Sequence, residues 1–145
     1  MGRILALDYG RKRTGVAVTD PLQLIAGGLD TVPTHLLDDF LAQYLAENQV
    51  DALVVGMPRQ ANGEPSESYA YIKPFVAKLR KKYPALKIEL VDERYTSVLA
   101  MRAMIAGGVK KSDRQNKALV DKVSATIILQ SYLEQREFIK QHDNR

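Results

Sequence analysis

The chain has 145 residues, of which 46% are hydrophobic and 26% are charged. These values are typical of one globular domain and exclude a disordered, collagen-like or coiled-coil chain. Cysteine is absent, which excludes a disulfide framework, a thiolate nucleophile and a cysteine-based zinc site. No apolar run approaches the roughly 18–20 residues that span a bilayer, and the N-terminus lacks a signal-peptide pattern. We therefore expect a cytoplasmic protein without membrane contact.

The net charge of +4 conceals an asymmetry along the chain. Residues 1–72 hold 5 Lys and Arg against 9 Asp and Glu, whereas residues 73–145 hold 16 against 8. A cation-rich half fits a polyanionic partner, but it also fits a solvated helical face. Taken alone, the charge favours the solvated face.

The opening residues predict three strands. Residues 4–8 form an apolar run and residues 16–19 another, and the short glycine-containing turn between them is typical of an antiparallel hairpin. We expect a third strand within residues 22–32, broken by Gly27 and Gly28.

The rest of the chain predicts helices that alternate with strands. Apolar residues at helical spacing predict a helix over 34–48, with Thr34 as its N-cap. The further predicted elements are a strand at 52–56, a loop at 57–65, a helix at 66–83, a strand at 87–91, a helix that Thr96 caps and Gly107 ends, a basic loop at 109–117 and a helix at 117–140.

This order predicts an α/β fold in one domain over residues 1–140, with a frayed tail at 141–145. The mixed five-stranded sheet would have antiparallel opening hairpins followed by parallel strands, and helices would flank it.

Two carboxylates occupy positions at predicted strand ends. Asp8 follows an apolar run, and burying a lone carboxylate costs several kcal/mol unless a cation or hydrogen-bond donors compensate. Asp8 could therefore serve a site, or it could bond the amides of the following turn. Glu93 lies at the C-terminal end of the strand predicted at 87–91, beside Arg94, where it could serve a site or form a surface ion pair.

Asp121 gives the sharpest argument from the sequence. On a helical wheel it shares a stripe with Ala125, Ile128 and Tyr132, so it faces the core one turn into the last helix. It is either an acid stabilised by the helix dipole or an acid directed at a site on the sheet edge.

Convergence of Asp8, Glu93 and Asp121 would require a divalent cation, because three ionised carboxylates repel one another. Oxygen ligands favour Mg²⁺ or Mn²⁺ over zinc. We expect His35 and His142 to be solvated surface residues, so neither is a candidate general base.

Four ordered motifs resemble one family and cover about residues 3–135. They are Asp8-Tyr9-Gly10 with Gly15-Val16-Ala17-Val18, then Gly56-Met57-Pro58, then Asp92-Glu93-Arg94-Tyr95-Thr96, then Asp121-Lys122-Val123-Ser124-Ala125 with Ile127-Ile128-Leu129. The chain resembles the bacterial pre-16S ribosomal RNA nuclease family, which is also described as Holliday-junction-resolvase-like and belongs to the RNase H-like superfamily.

The resemblance implies an RNase H-like fold and an endonuclease that acts in maturation of the 5′ end of 16S ribosomal RNA. It implies that Asp8, Glu93 and Asp121 are the catalytic and metal-binding acids, and that Arg94 and Thr96 support the site or touch the substrate. Many relatives have a Gly-Lys step before the last motif where this chain has Asn116-Lys117, and we carry Lys117 over as a substrate contact.

The chemistry of such a site follows from two divalent ions, about 4 Å apart, that clamp the scissile phosphate. One ion activates water for in-line attack and the other stabilises the leaving 3′ oxygen. We expect Asp8 to bridge them, because its strand is the most buried.

Two basic groups are tied by sequence to these acids and strengthen the nucleic-acid interpretation of the charge. They are Arg11, Lys12 and Arg13 after Asp8, and Lys110, Lys111, Arg114 and Lys117 before Asp121. Phosphate contacts of this kind make binding steeply salt dependent. With ten aromatic residues and no Trp, the sequence indicates no stacking platform, so contacts to backbone and shape are expected.

Three alternatives remain open from the sequence. A Holliday-junction-resolving DNA endonuclease would use the same acids and would need a two-fold dimer, and the sequence does not choose between monomer and homodimer. A non-catalytic nucleic-acid-binding module would not need all three acids. A sugar-kinase-like or actin-like ATPase would need a second such domain. Precursor ribosomal RNA, in a ribosomal assembly particle or free, is the favoured partner.

Overall fold

The computed structural model describes residues 2–59, 67–94 and 116–143. The strands are β1 (Arg3–Tyr9), β2 (Arg13–Thr19), β3 (Ala26–Pro33), β4 (Val50–Arg59) and β5 (Lys87–Arg94). The helices are α1 (Leu37–Glu47), α2 (Tyr69–Lys82) and α3 (Lys117–Asp143), and a 3-10 turn (Thr34–Leu36) leads into α1. Within these ranges no helix has the length and apolar character to cross a membrane.

The five strands form one mixed sheet in the order β3-β2-β1-β4-β5. The β1–β2 and β2–β3 pairs are antiparallel, whereas β1–β4 and β4–β5 are parallel. This arrangement confirms the predicted mixed sheet. It also places the carboxyl ends of β1, β4 and β5 at one edge.

Alternation along the strands divides the core between the two faces of the sheet. On β1, Leu5 and Leu7 pack in a cluster with the buried side chains of α1 and α2. Ile4 and Ala6 pack in a second cluster with Ala125 and other side chains of α3. Because both faces of β1 are covered, its apolar run is continuous, as the sequence predicted for a buried strand.

The predicted break in the third strand is wrong. Gly27 and Gly28 lie within β3 and pair with Val18 and Ala17 of β2. The register shifts between Ala17 and Val16 of β2, because Ala17 pairs with Gly28 whereas Val16 pairs with Asp30. A Cβ at position 28 would lie 2.7 Å from Cγ of Lys122, so this glycine makes room for α3 and does not end the strand.

The predicted helix cap at Thr34 is also wrong. Pro33 precedes the 3-10 turn, and no side chain caps it. The Thr34 hydroxyl instead donates to the carbonyl oxygen of Gly10 at 2.6 Å and lies 3.0 Å from Oγ1 of Thr14. It therefore fastens the turn after β1 to the start of the helical segment.

The remaining boundaries differ by a few residues. β4 continues to Arg59 through residues that the sequence predicted as a loop, because residues 57–59 pair with residues 92–94 of β5. α2 begins at Tyr69 instead of residue 66, and α3 runs three residues past its predicted end, to Asp143. The predicted helix after Thr96 and the basic loop that follows it lie outside the described residues.

Candidate active site

Asp8 lies near the carboxyl end of β1 on the face that α3 covers. It continues the alternation of Ile4 and Ala6, which pack in the α3-side cluster. Asp8 is partly buried, and no hydrogen bond or ion pair of its side chain is found among the described residues. Burial raises its pKa from 3.8 to about 7, and the charge of Asp121 adds to the increase. Within the described part of the chain, the carboxylate of Asp8 therefore has no partner that offsets the cost of its burial.

Gly15 brings Asp121 beside Asp8. Gly15 is the β2 partner of Asp8 in the antiparallel register. A Cβ on Gly15 would overlap the carbonyl carbon and oxygen of Asp121 and would lie 3.1 Å from the amide nitrogen of Lys122. The first turns of α3 thus rest directly on the β2 backbone, which positions Asp121 at the same edge as Asp8.

Arg13 holds the Asp121 carboxylate. Its Nε donates to Oδ2 of Asp121 at 2.9 Å, and the two side chains are 38% and 23% exposed. An ion pair with this exposure stabilises a fold by about 1 kcal/mol or less. Its main effect is therefore on the orientation of Asp121, whose other oxygen takes no part in this bond.

Glu93 lies on β5 at the same edge of the sheet. Its backbone pairs with Pro58 of β4, two residues beyond the pairing of Gly56 with Val91. Only the backbone of Glu93 is described, so its role stays a prediction.

The two described carboxylates of the site, those of Asp8 and Asp121, are suitable ligands for a divalent cation. Among the side chains that the structure describes, no group of three Asp, Glu or His side chains able to hold a metal is found. Asp8 and Asp121 nevertheless supply carboxylate oxygens at a partly buried edge, and their mutual repulsion is what a bound cation relieves. Oxygen donors of this kind suit Mg²⁺ or Mn²⁺.

The first basic group lies beside these acids, in the turn between β1 and β2. Arg11 and Lys12 are exposed. The Arg11 guanidinium carbon lies 4.9 Å from the centre of the Tyr71 ring of α2, and the Lys12 carbonyl oxygen accepts the amide of Thr34 at 2.9 Å.

The structure describes little or nothing of the other predicted contact residues. Arg94 pairs with Arg59 at the end of β5, and Lys117 begins α3; of both, only the backbone is described. The predicted contacts at Thr96, Lys110, Lys111 and Arg114 lie outside the described residues.

The two histidines are separate from the carboxylates in sequence and structure. His35 lies in the 3-10 turn and is exposed, as predicted. His142 is in the last turn of α3, and its side chain lies outside the described part of the chain.

Two features of the site were not predicted from the sequence. The partnership of Arg13 with Asp121 joins residues 108 positions apart, and it depends on where α3 crosses β2. The close approach at Gly15 has a weak signal in the sequence, since an isolated glycine within a strand can mark a close backbone contact.

Comparison with known proteins shows similarity to nucleases along nearly the whole chain. The RuvX family, described as Holliday junction resolvase, matches residues 2–135. A protein from Phocaeicola vulgatus named "Putative pre-16S rRNA nuclease" is 62% identical over 139 residues, covering 96% of this chain and 100% of that protein. A protein of the same name from Bacteroides thetaiotaomicron is 59% identical over 138 residues, covering 95% and 100%. One from Flavobacterium johnsoniae is 51% identical, again covering 95% and 100%.

Among solved structures, T. thermophilus RuvC in complex with Holliday junction substrate superposes with a TM-score of 0.54. The match covers 94% of this chain and 96% of that one at 16% sequence identity. It shows a shared fold, which confirms the RNase H-like architecture.

Proposed function

The chain belongs to the RuvX family of nucleases, and from this premise we propose that it is a divalent-metal-dependent endonuclease that acts on precursor 16S ribosomal RNA in maturation of its 5′ end. Membership of a nuclease family makes it a hydrolase of phosphodiester bonds. The observation that carries the proposal is the meeting of Asp8 and Asp121 over Gly15, at the edge where the parallel strands end.

We propose that Asp8, Asp121 and Glu93 hold the metal. Asp8 is the central ligand, because it is partly buried and no side-chain partner for it is found among the described residues. Glu93 is the third ligand by its place on β5, at the edge where β1 also ends. Two ions are expected from the chemistry of this reaction class. When bound, they would supply an activated water and stabilise the charge on the leaving 3′ oxygen.

The protein's own cations would position the substrate. Arg13 orients Asp121 through its 2.9 Å bond, while Lys12 is exposed to bind a phosphate in the turn that follows β1. Arg11, also exposed, would contact the substrate from beside the Tyr71 ring. We propose further substrate contacts from the second basic group and from the residues that follow β5. They are Lys110, Lys111, Arg114, Lys117, Arg94 and Thr96.

RNA is favoured as substrate by the names of the three relatives described above, which refer to pre-16S rRNA. That role would place the protein in the bacterial cytoplasm, at or near an assembling ribosomal particle. The description of the matching family favours a second candidate, cleavage of four-way DNA junctions. Symmetric cutting of a junction would require a two-fold dimer.

A paired cleavage assay tests the proposal. The purified protein is incubated with Mn²⁺ or Mg²⁺ and either an RNA that carries the 16S 5′ leader or a synthetic four-way DNA junction, and Asp121→Asn is run alongside. We expect RNA cleavage that the variant loses. Cleavage of the junction alone, also lost in the variant, would support the second candidate. Cleavage that survives in Asp121→Asn would contradict the proposed site, and an assembled precursor particle replaces free RNA if neither substrate is cut.

A further inference from the structure

A cleft lies on the face of the sheet opposite Asp8, between α1 and α2. It has a volume of about 240 Å³. Its floor includes Tyr9, the residue that follows Asp8 on β1. We call it the α1–α2 cleft, and the lining residues that matter here are Tyr9, Thr34, Asp38, Tyr71, Phe75 and Lys78. Neighbouring residues on a strand face opposite sides of the sheet, so the cleft and Asp8 lie on opposite faces. Because Tyr9 directly follows Asp8, both lie at the same edge of the sheet.

The cleft is built from planar groups. Tyr9 stacks on Phe75 with ring centres 3.9 Å apart and an angle of 13° between planes. The Tyr71 ring lies 6.0 Å from Tyr9, and the exposed Arg11 places its guanidinium carbon 4.9 Å from the centre of the Tyr71 ring. Aromatic rings and guanidinium planes are the surfaces on which proteins stack unpaired bases.

The charges of the cleft fit a neutral ring better than a phosphate. Asp38 lines it, and Nζ of Lys78 lies 3.1 Å from Oδ2 of Asp38. The carboxylate repels a phosphate, but it can accept a hydrogen bond from the amino group of a base. Free cations for phosphates are available outside the cleft, where Lys12 is exposed in the turn between β1 and β2.

Resting on the proposed function, we propose that the α1–α2 cleft holds an unpaired base of the strand that Asp8 and Asp121 act on, stacked against Tyr71 and Arg11. The strand would pass over the carboxyl edge of the sheet, with its backbone at Lys12 and the flanking base on the opposite face. A base that is paired within a duplex cannot enter the cleft. The site therefore selects substrates with a single-stranded segment beside the cleaved bond.

Binding without metal tests this inference apart from cleavage. Fluorescence anisotropy in EDTA compares an unstructured RNA with a duplex RNA of the same length, for the wild type, Tyr71→Ala and Tyr71→Phe. Tyr71→Phe keeps the ring and removes only the 3.0 Å hydrogen bond between the Tyr71 hydroxyl and Oγ of Ser68. We expect Tyr71→Ala to weaken binding of the single strand roughly fivefold or more. Tyr71→Phe should bind the single strand with the affinity of the wild type. Tyr71→Ala and Tyr71→Phe should bind the duplex with equal affinity.

Two further variants separate stacking from charge and from folding. Lys73→Gln removes a cation from the same helix outside the cleft, so it should weaken both RNAs to the same small extent. Arg11→Ala changes an exposed turn residue, and it should weaken the single strand more than the duplex. Arg11→Ala thus tests the cleft even if Tyr71→Ala unfolds, which a thermal melt would reveal.

Abasic substitutions locate the base. When a single abasic nucleotide is moved along the RNA, one position should weaken binding to the wild type and leave binding to Tyr71→Ala unchanged. Equal losses on single strand and duplex, or no position with this pattern, would overturn the inference. If the wild type binds neither RNA, the proposed function fails as well. If the wild type binds and cuts RNA while Tyr71→Ala and Arg11→Ala behave as Tyr71→Phe does, only the cleft inference fails.

Discussion

Gly15 of β2 lies directly beneath the backbone of Asp121 in α3, and no side chain fits between them. Gly15 is also the register partner of Asp8, so one residue without a side chain determines how closely the two carboxylates approach. The separation of strand and helix at this point therefore affects the geometry of the proposed active site as well as the packing of α3 on the sheet.

A methyl group at this position should damage both stability and activity. In Gly15→Ala the new Cβ would overlap backbone atoms of Asp121, which cannot rotate away, so α3 must shift. Overpacking of this kind costs about 1–3 kcal/mol. The free energy of unfolding from urea titration should fall by that amount, and cleavage should fall further because Asp121 moves from Asp8.

Gly27→Ala is the matched control for this substitution. It adds the same methyl group to the neighbouring strand, where the nearest atom recorded is the Val18 carbonyl oxygen at 4.0 Å. Its unfolding midpoint and activity should stay close to those of the wild type. Equal midpoints for Gly15→Ala and Gly27→Ala would refute the close approach.

Arg13 should matter for catalysis more than for stability. Arg13→Gln removes the 2.9 Å bond to Asp121, and because the pair is partly exposed we expect a change of about 1 kcal/mol or less in the free energy of unfolding. Cleavage should fall at least roughly tenfold, because an unoriented ligand loses its catalytic geometry.

Lys87→Gln is the matched control for Arg13→Gln, since it breaks the 3.1 Å pair with Glu89 at the opposite end of the strands. It should leave cleavage unchanged, and the two variants should melt at similar temperatures. If Lys87→Gln reduced cleavage as much as Arg13→Gln does, the loss would come from the removal of any positive charge and not from the contact with Asp121.

The raised pKa of Asp8 predicts a pH-dependent stability of the metal-free protein. Between pH 3.8 and about 7 the folded chain keeps a proton on Asp8 that the unfolded chain releases. The stability that this proton contributes is complete below about pH 4 and is lost as the pH rises through 7. Asp8→Asn mimics the protonated form, so in EDTA its melting temperature relative to wild type should rise between about pH 5 and 8.

Added Mn²⁺ should then raise the melting temperature of the wild type at about pH 8 and leave that of Asp8→Asn unchanged. Asp39→Asn removes a carboxylate that is exposed on α1 and serves as the control for net charge. A melting difference between Asp8→Asn and wild type that stays constant with pH would contradict the account of Asp8.

Lys12 should contribute one phosphate contact. For single-stranded nucleic acid the slope of log K against log salt is about −0.7 per neutralised phosphate, so Lys12→Gln should make the slope shallower by about 0.7. Lys81→Gln, an exposed change in the last turn of α2, should leave it unchanged. Anisotropy titrations at several salt concentrations in EDTA measure both slopes, and identical slopes for the two variants would argue against Lys12 as a contact.

Much of the fold could be predicted from local patterns. The apolar runs of β1 and β4 and the helical stripe of α3 are properties of consecutive residues, and the stripe placed Asp121 beside the buried Ala125 and Ile128. The predictions that are wrong concern residues whose local structure depends on an element distant in the chain. Gly28 stays in its strand because α3 crosses it, and Thr34 bonds Gly10 instead of capping a helix.

The sequence singled out candidate acids, but it did not predict how they are arranged. The sequence singled out Asp8 and Asp121, yet the bond from Arg13 and the contact at Gly15 depend on where α3 crosses the sheet. The stacking of Tyr9 on Phe75 likewise joins residues that are far apart in the chain. Such contacts have no local periodicity, so the sequence alone does not predict them.

The most direct test of the central claim is single-turnover cleavage of the 16S 5′-leader RNA, at saturating Mn²⁺, by wild type, Asp8→Asn and Asp39→Asn. Asp8→Asn keeps the shape of the side chain and removes the charge that the metal requires. We expect Asp8→Asn to lose at least about 3 kcal/mol of transition-state stabilisation, roughly a hundredfold or more in rate, while Asp39→Asn cuts as the wild type does. Equal rates for Asp8→Asn and wild type would contradict the account.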